Sequence, residues 1–160
     1  MEKHSEATVR AVKKFLGGMG INYEYTKEDG FCFSIGFDGC KIDPIDIQIL
    51  PLDEAYILYA VSSVQAGPDR RQAMAEFICR ANYGLLANGN FELDMDDGEI
   101  RYKVFIDCRM FKNSIDEKAI ASSFSGFMRA FEMYGDGILD VVSEKRTPEE
   151  AAEQCEKGKV

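Results

Sequence analysis

The chain has no tryptophan, four prolines, one histidine (His4) and no apolar run near the roughly 18 residues a membrane span requires. Its first residues, Met1 to Arg10, lack the apolar core of a signal peptide. A Cys/His dyad, a Ser/His/Asp triad and a His-ligated zinc would all have to use His4, at a polar terminus. The five cysteines, Cys32, Cys40, Cys79, Cys108 and Cys155, are odd in number and form no C-x-x-C pair. They read as reduced thiols, and the expected compartment is the cytoplasm. Positive charge is scarce as well: 19 Lys and Arg against 28 Asp and Glu give a net charge of −9. A phosphate backbone or an anionic membrane surface is disfavoured as a partner.

What is present is a core. Among 160 residues, 46% are hydrophobic, with 11 Phe and 7 Tyr. A domain of this length buries about 70% of its unfolded surface and needs no disulfide or metal to hold it. Residues 1–143 are expected to form one α+β domain, and 144–160 a polar C-terminal tail carrying a short surface helix.

Periodicity supplies the elements. Val9, Val12, Leu16 and Met19 recur at helical spacing after a Ser5 cap, and Gly17, Gly18 and Gly20 then read as the helix end, not as a phosphate loop. From Ile21 to Phe37 the period becomes two, and a Glu28-Asp29-Gly30 loop would pair Tyr23 with Ile35 and Tyr25 with Phe33. Ile45, Ile47 and Ile49 form a strand interrupted at Pro44 and ended by Pro51. The run from Ala55 to Ser63 reads as a more central strand. Pro68-Asp69 opens a helix whose buried stripe is Met74, Phe77, Ile78, Ala81 and Leu85.

The stretch Asn82 to Val104 is the most specific. A two-residue Asp97-Gly98 turn would pair Met95 with Ile100, Leu93 with Tyr102 and Phe91 with Val104, and on the other face Asp94 with Arg101 and Glu92 with Lys103. A third helix starts at a Ser114-to-Glu117 capping box. Its stripe (Ile120, Phe124, Phe127, Phe131, Tyr134, Ile138) keeps phase across Gly135 and Gly137, which predicts one helix, with a break near Gly135 as the alternative. Thr147-Pro148-Glu149-Glu150 starts a last helix, too polar to be core. Strands in hairpins between helices define the α+β class: an antiparallel sheet of about five to six strands packed against helices, in the order helix-strands-helix-hairpin-helix.

The residues Asn82, Gly89, Phe91, Asp94, Gly98, Arg101 and Tyr102, in the run GNFELDMDDGEIRYKV and the helix end before it, resemble the YbjN-like family, described as bacterial sensory transduction regulators. That resemblance implies the fold of type III secretion chaperones and a regulatory or chaperone-like, protein-binding role. It implies no catalytic, cofactor-binding or metal-binding residues, and Asn82 reads as a local cap or bridge.

The acids Glu92, Asp94, Asp96, Asp97 and Glu99 invite a calcium or magnesium reading. An EF-hand loop begun at Asp94 would put Gly98, Glu99 and Phe105 where an oxygen ligand, the glycine and the bidentate Glu belong. The cysteines in strands and helices read as small hydrophobes, with Cys155 the more exposed. Met128 and Met133, beside the third helix's stripe, are the expected apolar shoulder for a partner or a second subunit. The expectation is therefore a non-catalytic protein-binding module without a cofactor or metal, with a protein partner or a homodimer. The alternative is a metal-dependent enzyme or small-ligand binder built on Asp94, Asp96, Asp97, Glu99 and Arg101.

Overall fold

The computed structural model describes residues 6–84, 86, 88–108 and 117–157. Helix α1 (Glu6–Gly18) leads into four strands, β1 (Glu24–Thr26), β2 (Gly30–Ile35), β3 (Ile45–Pro51) and β4 (Ala55–Ser62). A 3-10 turn at Pro68–Arg70 opens α2 (Arg71–Tyr83), and a hairpin of β5 (Asn90–Leu93) and β6 (Ile100–Asp107) follows. Helices α3 (Glu117–Val142) and α4 (Pro148–Glu156) complete the order. The strands form one six-stranded antiparallel sheet, β1-β2-β3-β4-β6-β5, so the class is α+β as the hairpin pattern predicts.

The three glycines do end α1. Ile21 N donates to Leu16 O at 3.0 Å and Gly20 N to Gly17 O at 3.1 Å, with Gly20 at φ 68°, the double closure of a Schellman cap. Because the helix stops at Gly18, Met19 falls off the stripe and is 61% exposed, while Phe15 is buried in its place. The Ser5 and Ser114 caps, Leu85 and His4 lie outside the described residues.

Both predicted hairpin registers are displaced by two residues. Tyr25 faces Phe31, not Phe33, because the loop is Lys27 to Asp29, closed by Asp29 N donating to Thr26 Oγ1 at 2.9 Å. In the second hairpin, Phe91 faces Tyr102, Leu93 faces Ile100, and Glu92, not Asp94, faces Arg101. Asp97-Gly98 is not a two-residue turn: the ribbon closes at Asp94 and Glu99, with Asp94 N to Glu99 O at 2.9 Å. Carboxylates build this wider loop, Asp94 Oδ1 accepting from Asp96 N at 2.7 Å and Asp97 Oδ1 from Glu99 N at 2.8 Å. Gly98, at φ 86°, presses on Ala66, whose N–H donates to Gly98 O at 2.9 Å; a Cβ there would collide with the Ala66 carbonyl. A displacement of two keeps the side chains that remain paired on their predicted faces, whereas Met95 leaves the ladder for the loop and is 49% exposed.

One face of the sheet carries the core. Phe31, Ile45, Ile49, Tyr56, Leu58, Ala60, Phe91, Ile100, Tyr102 and Val104 are each at most 2% exposed there, beneath Phe127, Phe131, Tyr134 and Ile138 of α3. Tyr56 ties the layers: its hydroxyl donates to Ala119 O at 3.0 Å and lies 2.6 Å from Ser123 Oγ, and burial raises its pKa. Helix α3 runs unbroken through Gly135 and Gly137. Gly137 marks a close approach, since a Cβ would stand 2.5 Å from the Phe77 ring of α2 and 2.8 Å from Cys155 Sγ of α4.

Helix α4 starts at the predicted capping box, with Glu150 N donating to Thr147 Oγ1 at 3.2 Å and Thr147 N to Glu150 Oε2 at 3.0 Å. Its polarity misleads about burial, however. Ala151, Ala152 and Cys155 are buried between α2 and α3, and Tyr134 donates to Glu156 Oε1 at 2.7 Å. Small residues four apart are enough to seat a helix whose other sides are charged.

Candidate protein-binding surface

Alternation along each strand sends every second side chain to the face opposite the helices. Strand pairing aligns those side chains in rows. One row is Ser34, Asp46, Val61, Arg101 and Glu92; the next is Glu24, Cys32, Gln48, Tyr59, Lys103 and Asn90; a third is Leu50, Ile57 and Phe105. None of these residues is buried, and Phe105 is 54% exposed. Leu50, Ile57, Tyr59, Val61 and Phe105 belong neither to the hydrophobic core nor to the side chains packed against it. The face is apolar along one side, and no described helix covers it.

Charge on the β5–β6 side of this face is internally satisfied. Glu92 accepts from Arg101 Nε at 2.8 Å and from Lys103 Nζ at 3.2 Å, and Glu99 stands 3.6 Å from the same guanidinium. Burial opposes ionisation of Glu92, but the two cationic donors more than offset it and hold the carboxyl below its ordinary value. Arg101 also lies over the Tyr59 ring, 4.4 Å from its centroid. The β1–β3 side differs. There Asn22, Glu24, Cys32, Ser34, Asp46, Gln48 and Val61 line a groove of about 540 Å³. Asp46 accepts a hydrogen bond from the Ser34 hydroxyl, and among the described residues neither Asp46 nor Glu24 has a cationic partner.

The predicted acidic cluster does not converge. Asp94 and Asp97 fold their carboxylates back onto the turn, and Glu92 and Glu99 turn to Arg101. Among the described residues no three His, Cys, Asp or Glu side chains are grouped to hold a metal ion. The expected apolar shoulder on α3 is absent too: Met133 is 7% exposed, and Met128 packs partly buried against the core. Cys155 is buried because α4 docks where a free surface was predicted, and Cys79 is exposed, the reverse of the expectation for both. Burial pushes the Cys108 thiol up to about 11, with Asp107 adding to the shift.

Asn82 bridges, as predicted. Its amide donates to Phe91 O at 3.0 Å and its carbonyl accepts from Phe91 N at 2.8 Å, so one side chain takes the place of a neighbouring strand along β5. Tyr102 donates to Asn88 O beside it, and burial pushes the phenol up to about 12.

The open face was missed in the sequence because Phe105, Ile57 and Leu50 lie in separate strands. The usable signal was the continuous apolarity of β4, whose outward residues Ile57, Tyr59 and Val61 lie outside the core among the described residues.

No family model and no curated protein matches the chain, so the YbjN-like resemblance rests on the seven residues that carry it. Solved structures, two of which follow, align with most of its length. The crystal structure of the ExsC-ExsE complex contributes one chain, at 17% identity and TM-score 0.49, covering 81% of this chain and 92% of that one. An uncharacterized protein from Methanothermobacter thermautotrophicus aligns at 13% identity and TM-score 0.48, covering 86% and 98%. Among the described residues no helix is long and apolar enough to cross a membrane.

Proposed function

We propose that the chain is a non-catalytic, cytoplasmic protein-binding module with a regulatory or secretion-chaperone-like role, working through the open face of its sheet. The observation that carries this reading is the row Leu50, Ile57 and Phe105, which no described helix covers, contributed by three adjacent strands whose opposite sides pack into the core. Full burial of a side chain such as Phe105 contributes about 1.5–3 kcal/mol, and contiguous apolar surface rimmed by polar groups marks an interaction site. The rim is present in Arg101, Lys103, Glu92 and Gln48, and the Arg101–Tyr59 stack is the kind of anchor on which binding energy concentrates.

The test is affinity capture from native lysate with the wild-type chain and with Phe105→Asp, each checked for fold by circular dichroism. A protein retained by the wild type and released by Phe105→Asp is the expected outcome. Capture of no partner, or of the same partner by both chains, would remove this surface from the account.

A further inference from the structure

We infer that the partner presents a basic amphipathic helix of about three turns, laid diagonally across the open face; this rests on the protein-binding reading above. Three features of the surface define that occupant. The apolar end is Ile57 and Phe105, with Leu50 beside them. The other end is the groove beside β1, where exposed Glu24 and Asp46 have no cationic partner among the described residues. Arg101 and Lys103, the cations of the same face, are already held by Glu92 and Glu99. Within the three rows, the charge without an ion partner among the described residues is therefore that of Glu24 and Asp46, while Asp53 and Glu54 stand exposed in the β3–β4 turn beyond the apolar row.

The spacing fixes the size. Asp46 and Phe105 lie two strands apart, roughly 10 Å, and four residues along the strand direction, roughly 13 Å, so the diagonal is about 16 Å. Three α-helical turns advance about 16 Å, so an apolar residue on Phe105 and a lysine or arginine at Asp46 sit about eleven positions apart on one helix face. An added strand would pair at the open edges, β2 over residues 33–35 or β6 beyond Lys103, and so extend the sheet sideways and leave the row Leu50, Ile57 and Phe105 uncovered. A second copy is disfavoured: two chains of net charge −9 repel, and each would bring the same acidic end.

The experiment uses the intact chain and two synthetic 16-residue helices of Leu and Ala, each with one Trp. Lysines stand at one end of the first and glutamates replace them in the second. The chain has no tryptophan, so peptide fluorescence reports binding without background. The expected result is binding of the lysine peptide at least about tenfold tighter than the glutamate peptide at low salt, with the gap narrowing as salt rises. Asp46→Lys is expected to erase the preference, and Asp46→Asn to reduce it; Phe105→Asp is expected to lose both peptides. Equal affinities, a preference for glutamate, or an unchanged preference in Asp46→Lys would overturn the inference. A dimer of the chain seen by light scattering and dissociated by Phe105→Asp would also overturn it, assigning the face to a second copy. If lysate capture depends on Phe105 while the two peptides bind alike, the protein-binding reading stands and the basic helix falls.

Discussion

The two faces of the sheet are made by the same strands from alternate residues, and they obey different rules. On the helix side Phe91 stacks edge-on with Tyr102, Phe131 and Tyr134, and the residues between the layers are nearly inaccessible. On the far side Phe105 is 54% exposed, and among the described residues it and its half-buried neighbours Ile57 and Leu50 lie outside the core. A large apolar side chain that stabilises the fold on one face contributes little on the other, so its presence there calls for a partner.

The sharpest way to break this contrast is to truncate one aromatic on each face. Phe127→Ala, in the buried layer, should cost about 3–5 kcal/mol in urea unfolding, through lost transfer energy and the cavity left behind. Phe105→Ala should change stability by no more than about 0.5 kcal/mol. Comparable losses at the two positions would mean that the far face is structural. Asn82→Ala tests the sheet margin: it strips Phe91 of both side-chain bonds to its backbone, and should cost about 1–3 kcal/mol by denaturant titration. It should also increase concentration-dependent association, since the β5 edge is then unpaired.

Gly137→Ala probes the covered side from behind. Alanine in a helix interior ordinarily stabilises by about 1 kcal/mol relative to glycine, but here the methyl meets Phe77 and Cys155. The sign should reverse, with a loss of about 1–3 kcal/mol and a lower thermal midpoint. The smallest effect belongs to the open face. Glu92→Gln removes an acid whose folded pKa lies below its ordinary 4.5. The wild-type advantage, about 0.2–1 kcal/mol, should be complete above pH 4.5 and vanish as pH falls through the lower folded value. Unfolding curves at pH 7 and pH 3 read this directly.

These contrasts also explain what the sequence could and could not convey. Which residues face the helices was legible, because strand alternation survives a slip of two: Phe91, Leu93, Ile100 and Tyr102 share a face under either register. The register itself was not, since the Asp94 and Asp97 carboxylates and the pressure of Gly98 on Ala66 widen the loop beyond what Asp-Gly alone specifies. Helix α3 was legible through its glycines because the aromatic stripe kept phase. Docking of α4 was hidden, since Ala151, Ala152 and Cys155 are small and sit among charges. That error moved the predicted binding shoulder onto Met133, which is buried, and away from Phe105, whose row exists only after three strands pair.

The central claim is that the far face binds while the near face folds. It is tested most directly by measuring how much captured partner Phe105→Asp retains relative to the wild type, at equal folded protein. The account predicts a loss of at least about tenfold, the scale of one buried hot-spot aromatic. Undiminished retention by a folded Phe105→Asp chain would contradict it.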